Sequence, residues 1–437
     1  MSLRSGQIRT LVLLFCGYAS CYYCRADLSV ATPLLADELA VHGVSHAQAL
    51  VDIGTITSIG IFAYALGKLF LTGLGDYWGG RRNFLIGVGG ASLFTLLFAL
   101  AGGLPLFTLA WSANRLTQSV GWAGLIKVSS KWFSYSSYGS IAGILSISYL
   151  VGDALARQQM GLLLAHGYGW RTLFVFAAAV AGLALLANIL WLRESRVEEG
   201  HAEAEPNPAL NLFDSGESRL PGVAALLLPL ARSRAFLLVC LLSFGCTIVR
   251  ETFNTWTPAY LRDFLGYRVS DSAALSAIFP AVGAVSVLLA GWLSDRLGPS
   301  SRSLLMFLGL IGSALALLAL TAVPSGSSGS PLAVMLIGLV AFGLLGPYSY
   351  LGGAFALDFG GKQASAASSG IIDGIGYLGG VFAGYAVARL AMAFGWHGVF
   401  VTLAAVSIAA ALSAGYLHLL NLRTAALKAV LAVGAHG

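Results

Sequence analysis

Two arginines lie inside stretches that otherwise carry almost no charge. Arg25 sits in "CYYCRADLSVATP" (21–33), with Asp27 two residues on, and Arg250 sits in "VRETFNTWTPAY" (249–260), beside Glu251. A guanidinium presents a planar fork of donors suited to phosphate or carboxylate oxygens. Lys68, in "AYALGKLFLTGLGD", adds a compact third cation. An arginine at the centre of a bilayer costs about 2.5–3.5 kcal/mol on insertion scales, so residues of this kind imply a partner that repays the cost. Local pairing of Arg25 with Asp27, and of Arg250 with Glu251, is the competing reading. Residues one or two apart on a helix do not face each other well. An anionic ligand is therefore the favoured partner.

Three other charges share this setting. Asp153 and Arg157, in "GDALARQQM", are spaced i, i+4 and can neutralise each other on one helix face. Asp373, in "SSGIIDGIGYLGG", has no such local partner. It is a counter-ion for a cavity cation, a proton-coupling carboxylate, or an inert protonated side chain. Tyr22, Tyr23, Tyr64, Trp122, Tyr149, Trp256 and Tyr377 are aromatics that can line a polar cavity, or anchor the chain at the membrane interfaces.

The elements that must carry these residues follow from composition. The 437-residue chain is 57% hydrophobic and 10% charged, against about 25% charged in soluble domains. Its excess apolar surface must face lipid. Apolar runs of about 20 residues, long enough to span, occur near 11–33, 50–74, 84–104, 106–126, 139–163, 172–192, 235–260, 271–294, 303–323, 332–357, 364–391 and 397–420. The first run lacks a small-residue cleavage site, which argues against a removable signal peptide. Between the sixth and seventh lies the polar, aperiodic stretch "RESRVEEGHAEAEPNPALNLFDSGESRLPG", which reads as a linker. The predicted organisation is a six-helix bundle over 1–192, a cytoplasmic linker over 193–234, and a second six-helix bundle over 235–437. Basic residues such as Arg4, Arg9, Arg81, Arg82, Lys131, Arg193, Arg234, Arg302 and Arg423 concentrate at the termini and in even-numbered loops. The positive-inside rule then puts both termini in the cytoplasm.

The halves repeat each other. Arg25 and Arg250, Asp76 and Asp295, and Trp170 and Trp396 recur at a nearly constant separation of about half the chain, as duplication of a six-helix unit leaves them. Twelve helices in two parallel halves is the major facilitator architecture, whose substrate sites lie between the halves near the midplane. The loop sequence Gly291-x-x-x-Asp295-Arg296-x-Gly298 matches that superfamily's cytoplasmic motif. Its first-half copy, containing Asp76 and Arg81, is degenerate, with Thr72 and Tyr77 at two signature positions. The expected fold class is an all-α membrane protein with twelve transmembrane helices in two pseudo-symmetric bundles.

Several chemistries find no support. Cys21-x-x-Cys24 lacks nearby ligand partners and reads as packing, as do Cys16, Cys240 and Cys246. "GIGYLGG" and "LGGAFALDFGG" follow no strand, so their glycines read as close helix contacts and not a phosphate loop. No nucleotide-binding loop, metal-ligand cluster or Ser/His/Asp set is present, and the net charge of +6 is dispersed over loops. No enzyme activity, cofactor, metal or nucleic-acid partner is expected.

The motifs together are similar to those of the organophosphate:phosphate antiporters, a family that includes bacterial glycerol-3-phosphate and hexose-6-phosphate transporters. "YYCR" is close to the family's first-helix Tyr-Tyr-x-x-Arg and marks Arg25, and "AYALGK" resembles the second-helix pattern and marks Lys68. "NRLTQSVGWAGLIKVSSKWF" resembles the fourth-helix stretch through Asn114, Gln118, Gly121, Trp122, Lys127, Trp132 and Phe133. "RETFNTWTPAYL" follows the seventh-helix pattern at Arg250, Trp256 and Pro258, and "GYLGG" (376–380) resembles the eleventh-helix signature. The resemblance implies exchange of phosphate for an organic phosphate by alternating access, with Arg25 and Arg250 gripping the phosphate. Lys68, Tyr22, Tyr149, Trp122, Gln118 and Asp373 complete the candidate binding set, and Asp76, Arg81, Asp295 and Arg296 the loop motif. The chain departs from the family at Ala123-Gly124, where Pro-Pro is frequent, at Tyr149, where some members carry a histidine, and in its extra acids Asp153, Glu251 and Asp373. A proton-coupled symporter of another organic anion and a transporter-like anion sensor stay open beside exchange. The expected setting is a monomer in a bacterial inner membrane.

Overall fold

In the computed structural model, residues 2–71, 78–204, 230, 232–298 and 301–434 are described. Asp76, Thr72, Tyr77 and most of the linker lie outside them, as does the side chain of Asp295. The described residues are almost entirely helical. In the first half they form α1 (Leu3–Val41), α2 (His46–Phe70), α3 (Gly80–Leu100), α4 (Leu104–Gln118), α5 (Gly121–Trp132), α6 (Tyr135–Ala165) and α7 (Trp170–Trp191). In the second half they form α8 (Arg234–Ala259), α9 (Val269–Ser276), α10 (Ile278–Leu297), α11 (Arg302–Leu320), α12 (Leu332–Tyr350), α13 (Ala356–Gly380) and α14 (Tyr385–Gly434). α4 and α5 make one span broken at Ser119–Val120, and α9 and α10 another broken at Ala277. α14 turns sharply at Gly395 and so contains the end of the eleventh span and all of the twelfth.

Helix starts are set by hydroxyl caps. Ser2, Ser45 and Ser233 each accept the backbone N–H three residues on, which satisfies an otherwise orphaned donor of α1, α2 and α8. The turns show the duplication in the backbone itself. Gly43 (φ 88°) and Gly266 (φ 83°) follow the first and seventh spans, and Gly79 (φ 90°) and Gly298 (φ 84°) precede the third and ninth. Only glycine takes such left-handed turns without cost, so the turn chemistry was copied with the helices.

Each half has its own core. One is built almost wholly from α1–α7, with Phe98 stacked on Phe174 at 4.5 Å, and the other from α8–α14, with Phe253 stacked on Phe279 at 5.1 Å. Helices approach closely at glycines, where a Cβ on Gly152 would meet the Ala19 carbonyl at 2.4 Å. Between the halves, α1 packs on α8, α6 on α9 and α10, and α2 on α13 and α14. Several of these contacts gather toward the end of the bundle away from the chain termini. Ser29 Oγ donates to the Thr255 carbonyl (2.8 Å), Arg262 donates to the Pro33 carbonyl (2.8 Å) and pairs with Asp37, and His46 meets Asp263 at 3.2 Å. Ser58 Oγ joins α2 to the Val381 carbonyl at 2.6 Å.

At the opposite end, Glu194 closes the α3 start. Its carboxylate accepts from the backbone N–H groups of Gly80 (2.9 Å) and Arg81 (2.6 Å) and from Lys131 Nζ (2.6 Å). Partial burial opposes its charge, but these donors outweigh burial and hold the carboxyl below its ordinary value. This contribution to stability is complete above the unfolded value, about pH 4.3. It is lost as pH falls through the lower native value. Glu194→Gln is expected to cost about 1 kcal/mol at pH 7, the size of a lost cap. It should also flatten the acid limb of thermal unfolding measured in detergent from pH 7 down to pH 3.

Candidate functional site

Breaks in the helices present the charged residues. Within α1 the backbone leaves helical geometry at Cys24 (φ −79°, ψ 16°), immediately before Arg25. The Leu28 N–H donates to Asp27 Oδ1 (2.7 Å), and the Cys24 carbonyl faces Gln118 Nε2 at 3.5 Å. Asp27 is fully buried and serves this kink; it forms no ion pair with Arg25 among the described residues. Gln118 is the last residue of α4 before that span breaks, and its Oε1 accepts Arg25 Nε at 2.6 Å.

A cavity between the halves is lined by Tyr22, Arg25, Arg115, Tyr149, Asp153, Arg157, Arg250 and Glu251, with uncharged side chains of α1, α2, α4, α6, α8 and α12 completing it. Its volume is about 50 Å³. A water takes up roughly 30 Å³ in the liquid, so this conformation is too closed for a sugar-sized solute. The two arginines expected to face each other do line one cavity. Arg25 donates to Tyr22 Oη (3.2 Å) and lies over the rings of Tyr22 (4.6 Å) and Tyr64 (4.5 Å). Arg250 donates to Tyr377 Oη (2.9 Å) and lies over Tyr348 (4.7 Å). Each guanidinium is held against π-faces, which attract a cation without neutralising it.

The acids fall into three arrangements. Asp153 and Arg157 form the i, i+4 pair read from spacing, at 2.8 Å and almost fully buried. Arg157 also reaches the second half, donating to Ser276 Oγ (3.1 Å) and the Asn254 carbonyl (2.8 Å). Asp373 Oδ2 lies 3.8 Å from Lys68 Nζ, the geometry of a counter-ion. Arg250 and Glu251 do pair, at 2.6 Å, although adjacent positions on a helix diverge. Both side chains are long enough to bend toward the same cavity, and burial away from water leaves each no better partner.

The remaining expected site residues lie apart from the cavity lining. Lys68 and Asp373 pair outside it, beside Tyr64, with Lys68 Nζ 5.7 Å from that ring. Trp122 packs on Tyr18 at 5.1 Å, and Tyr18 in turn on Tyr22, so it supports the wall from behind. Arg81 closes the C-terminus of α7, donating to the carbonyls of Leu192 (2.7 Å) and Ile189 (2.8 Å). Arg296 is exposed and stacks on Trp292 at 4.3 Å. Sequence reasoning passed over Arg115, which is 4% exposed, lies 3.7 Å from Glu251 and sits over Tyr64 at 5.1 Å. The signal was the one that found Arg25: an arginine inside an apolar run, here 106–126. Tyr348 was also missed.

Residues 14–383 match the family model described as the Major Facilitator Superfamily. The chain belongs to that superfamily. It is 26% identical to a "Probable hexose phosphate transport protein" of Chlamydia muridarum over 93% of this chain and 90% of the relative. It is equally 26% identical to the "Membrane sensor protein UhpC" of Escherichia coli, over 92% and 90%. Among solved structures it resembles a D-xylose-proton symporter with a TM-score of 0.73 at 14% identity, covering 93% of this chain and 97% of that one, a likeness of fold alone. The resemblance read from the five motifs thus extends over nearly the whole chain, and the major facilitator fold is that of an all-α, multi-pass membrane protein.

Proposed function

We propose that this superfamily member is a secondary active transporter that exchanges inorganic phosphate for an organic phosphate of the sugar phosphate or glycerol 3-phosphate type, by alternating access. The observation that carries the reading is the pair Arg25 and Arg250, one from each half, lining one cavity with aromatic and neutral partners around Arg25. A relative of 26% identity named for hexose phosphate transport supports the substrate class. Arg25 and Arg250 bind the phosphate, Tyr22 and Tyr149 line its site, Gln118 orients Arg25, and Trp122 backs the wall. Lys68 and Asp373 form an adjoining pair whose separation changes as α2 and α13 move. Asp76, Arg81, Asp295 and Arg296 carry the superfamily's cytoplasmic motif, with Arg81 in the first turn of α3 and Arg296 in the last turn of α10. The protein performs no covalent chemistry and uses no cofactor.

The positive-inside pattern puts the termini in the cytoplasm, and bacterial relatives named for transport favour a bacterial inner membrane. The inter-half contacts near Arg262 and His46 then face outward, and the molecule described above is closed on the outside. A cavity of about 50 Å³ must open as the halves rock before an organic phosphate can enter.

Two observations favour other readings. A sensor protein shares the same 26% identity with this chain as the transport protein does, and carboxylates stand beside the cavity, as proton coupling requires. Coupling separates them. Preloading proteoliposomes with phosphate is expected to stimulate uptake of labelled phosphate strongly, while an inward proton gradient across phosphate-free vesicles is not. Uptake into empty vesicles that a protonophore abolishes would establish the symporter. Binding without flux in either condition would establish the sensor.

A further inference from the structure

Arg115 on α4 and Glu251 on α8 face each other across the two halves at 3.7 Å, and both line the cavity. The other oxygen of Glu251 accepts from Arg250 at 2.6 Å, so one carboxylate is shared by two guanidiniums. Among the described residues the Nε atoms of Arg115 and Arg250 have no hydrogen-bond partner, although the two residues are only 4% and 6% exposed. Unmet buried donors are costly, and an acceptor-rich ligand removes the cost. Within the cavity lining, Asp153 and Arg157 cancel each other at 2.8 Å. What remains is Arg25, Arg115 and Arg250 against Glu251, a net charge of +2.

Resting on the phosphate reading above, we propose that Arg115 and Glu251 set the charge that the site accepts. With Glu251 in place the site is matched to a phosphate monoester dianion, and Glu251 turns away phosphate esters that carry a carboxylate as well. A phosphate monoester brings about −1.5 to −2 at pH 7, which the net +2 neutralises. An added carboxylate brings one charge more. It also competes for the space between Arg115 and Arg250 that the Glu251 carboxylate occupies. Repulsion there is poorly screened, because the groups are buried away from solvent ions.

The test is displacement of labelled inorganic phosphate from the purified full-length protein by glycerol 3-phosphate and by 3-phosphoglycerate. The wild type is expected to favour glycerol 3-phosphate. Glu251→Gln should shift the ratio of the two affinities at least tenfold toward 3-phosphoglycerate. Arg115→Gln with Glu251→Gln removes the pair and restores +2, so the wild-type order should return. Arg115→Gln alone lowers the charge and should move the ratio further toward glycerol 3-phosphate, which tests the idea even if Glu251→Gln does not fold. An unchanged ratio in Glu251→Gln or in Arg115→Gln, with phosphate still bound, overturns the proposal. So does a double variant that retains the single variant's shift, since shape and not charge is then responsible. A wild type that binds no labelled phosphate overturns the phosphate reading itself.

Discussion

Arg25→Lys and Arg250→Lys are each expected to weaken phosphate binding at least tenfold while leaving the protein inserted and folded. Lysine keeps the positive charge, so the burden of a cation in the bilayer is unchanged. It loses the planar fork that engages two oxygens at once. Charge-assisted hydrogen bonds are worth about 1.5–3 kcal/mol each, and about 1.4 kcal/mol corresponds to a factor of ten. At Arg25 the change also removes the Nε donor to Gln118 Oε1 (2.6 Å), so the substituted ammonium lies unguided against Tyr64. At Arg250 it removes donors to Tyr377 and Glu251. If both arginines hold one phosphate, the double variant should lose less than the sum of the single losses, because either change already breaks the grip. Displacement of labelled phosphate from the four proteins measures this. Full binding by Arg250→Lys beside an impaired Arg25→Lys would reduce Arg250 to a structural partner of Glu251.

Arg157→Met is expected to destabilise the protein by about 3–5 kcal/mol, the cost of removing one member of a buried ion pair. Asp153 would be left charged and almost fully buried, its 2.8 Å partner gone. The donors to Ser276 Oγ and to the Asn254 carbonyl, which tie α6 to the second half, vanish with it. Thermal unfolding in detergent reads the loss. Combining Arg157→Met with Asp153→Leu should recover much of it, since replacing both partners by apolar groups can be nearly neutral. A single variant as stable as the wild type would show the pair to be dispensable.

Much of the fold was legible because the bilayer reduces the problem to one variable. A run of about 20 apolar residues must be a helix, since every backbone group has to be satisfied within it. The duplication was legible in Arg25 and Arg250, and the backbone repeats it in Gly43 and Gly266. Asp153 and Arg157 were legible because i, i+4 spacing is a local geometry. The Arg250–Glu251 pair was not, because spacing rules describe where Cβ atoms point and not where long side chains bend when buried. The break at Cys24 was equally hidden: no proline or glycine marks it, and it is held by Asp27 and Gln118, residues brought together by the tertiary fold. Arg115 carried a plain signal, an arginine within an apolar run. Its pairing with Glu251 depends on side chains of α4 and α8 reaching one cavity from opposite halves, which no local pattern encodes.

Counterflow tests the central claim most directly. Proteoliposomes containing the purified protein are loaded with unlabelled phosphate, and labelled phosphate is supplied outside with a panel of unlabelled competitors. Exchange predicts transient accumulation of label that collapses without internal phosphate, that glucose 6-phosphate or glycerol 3-phosphate inhibits, and that non-phosphorylated sugars and simple carboxylates leave intact. Label uptake that ignores internal phosphate, or that a carboxylate inhibits as well as any phosphate ester does, would contradict the account.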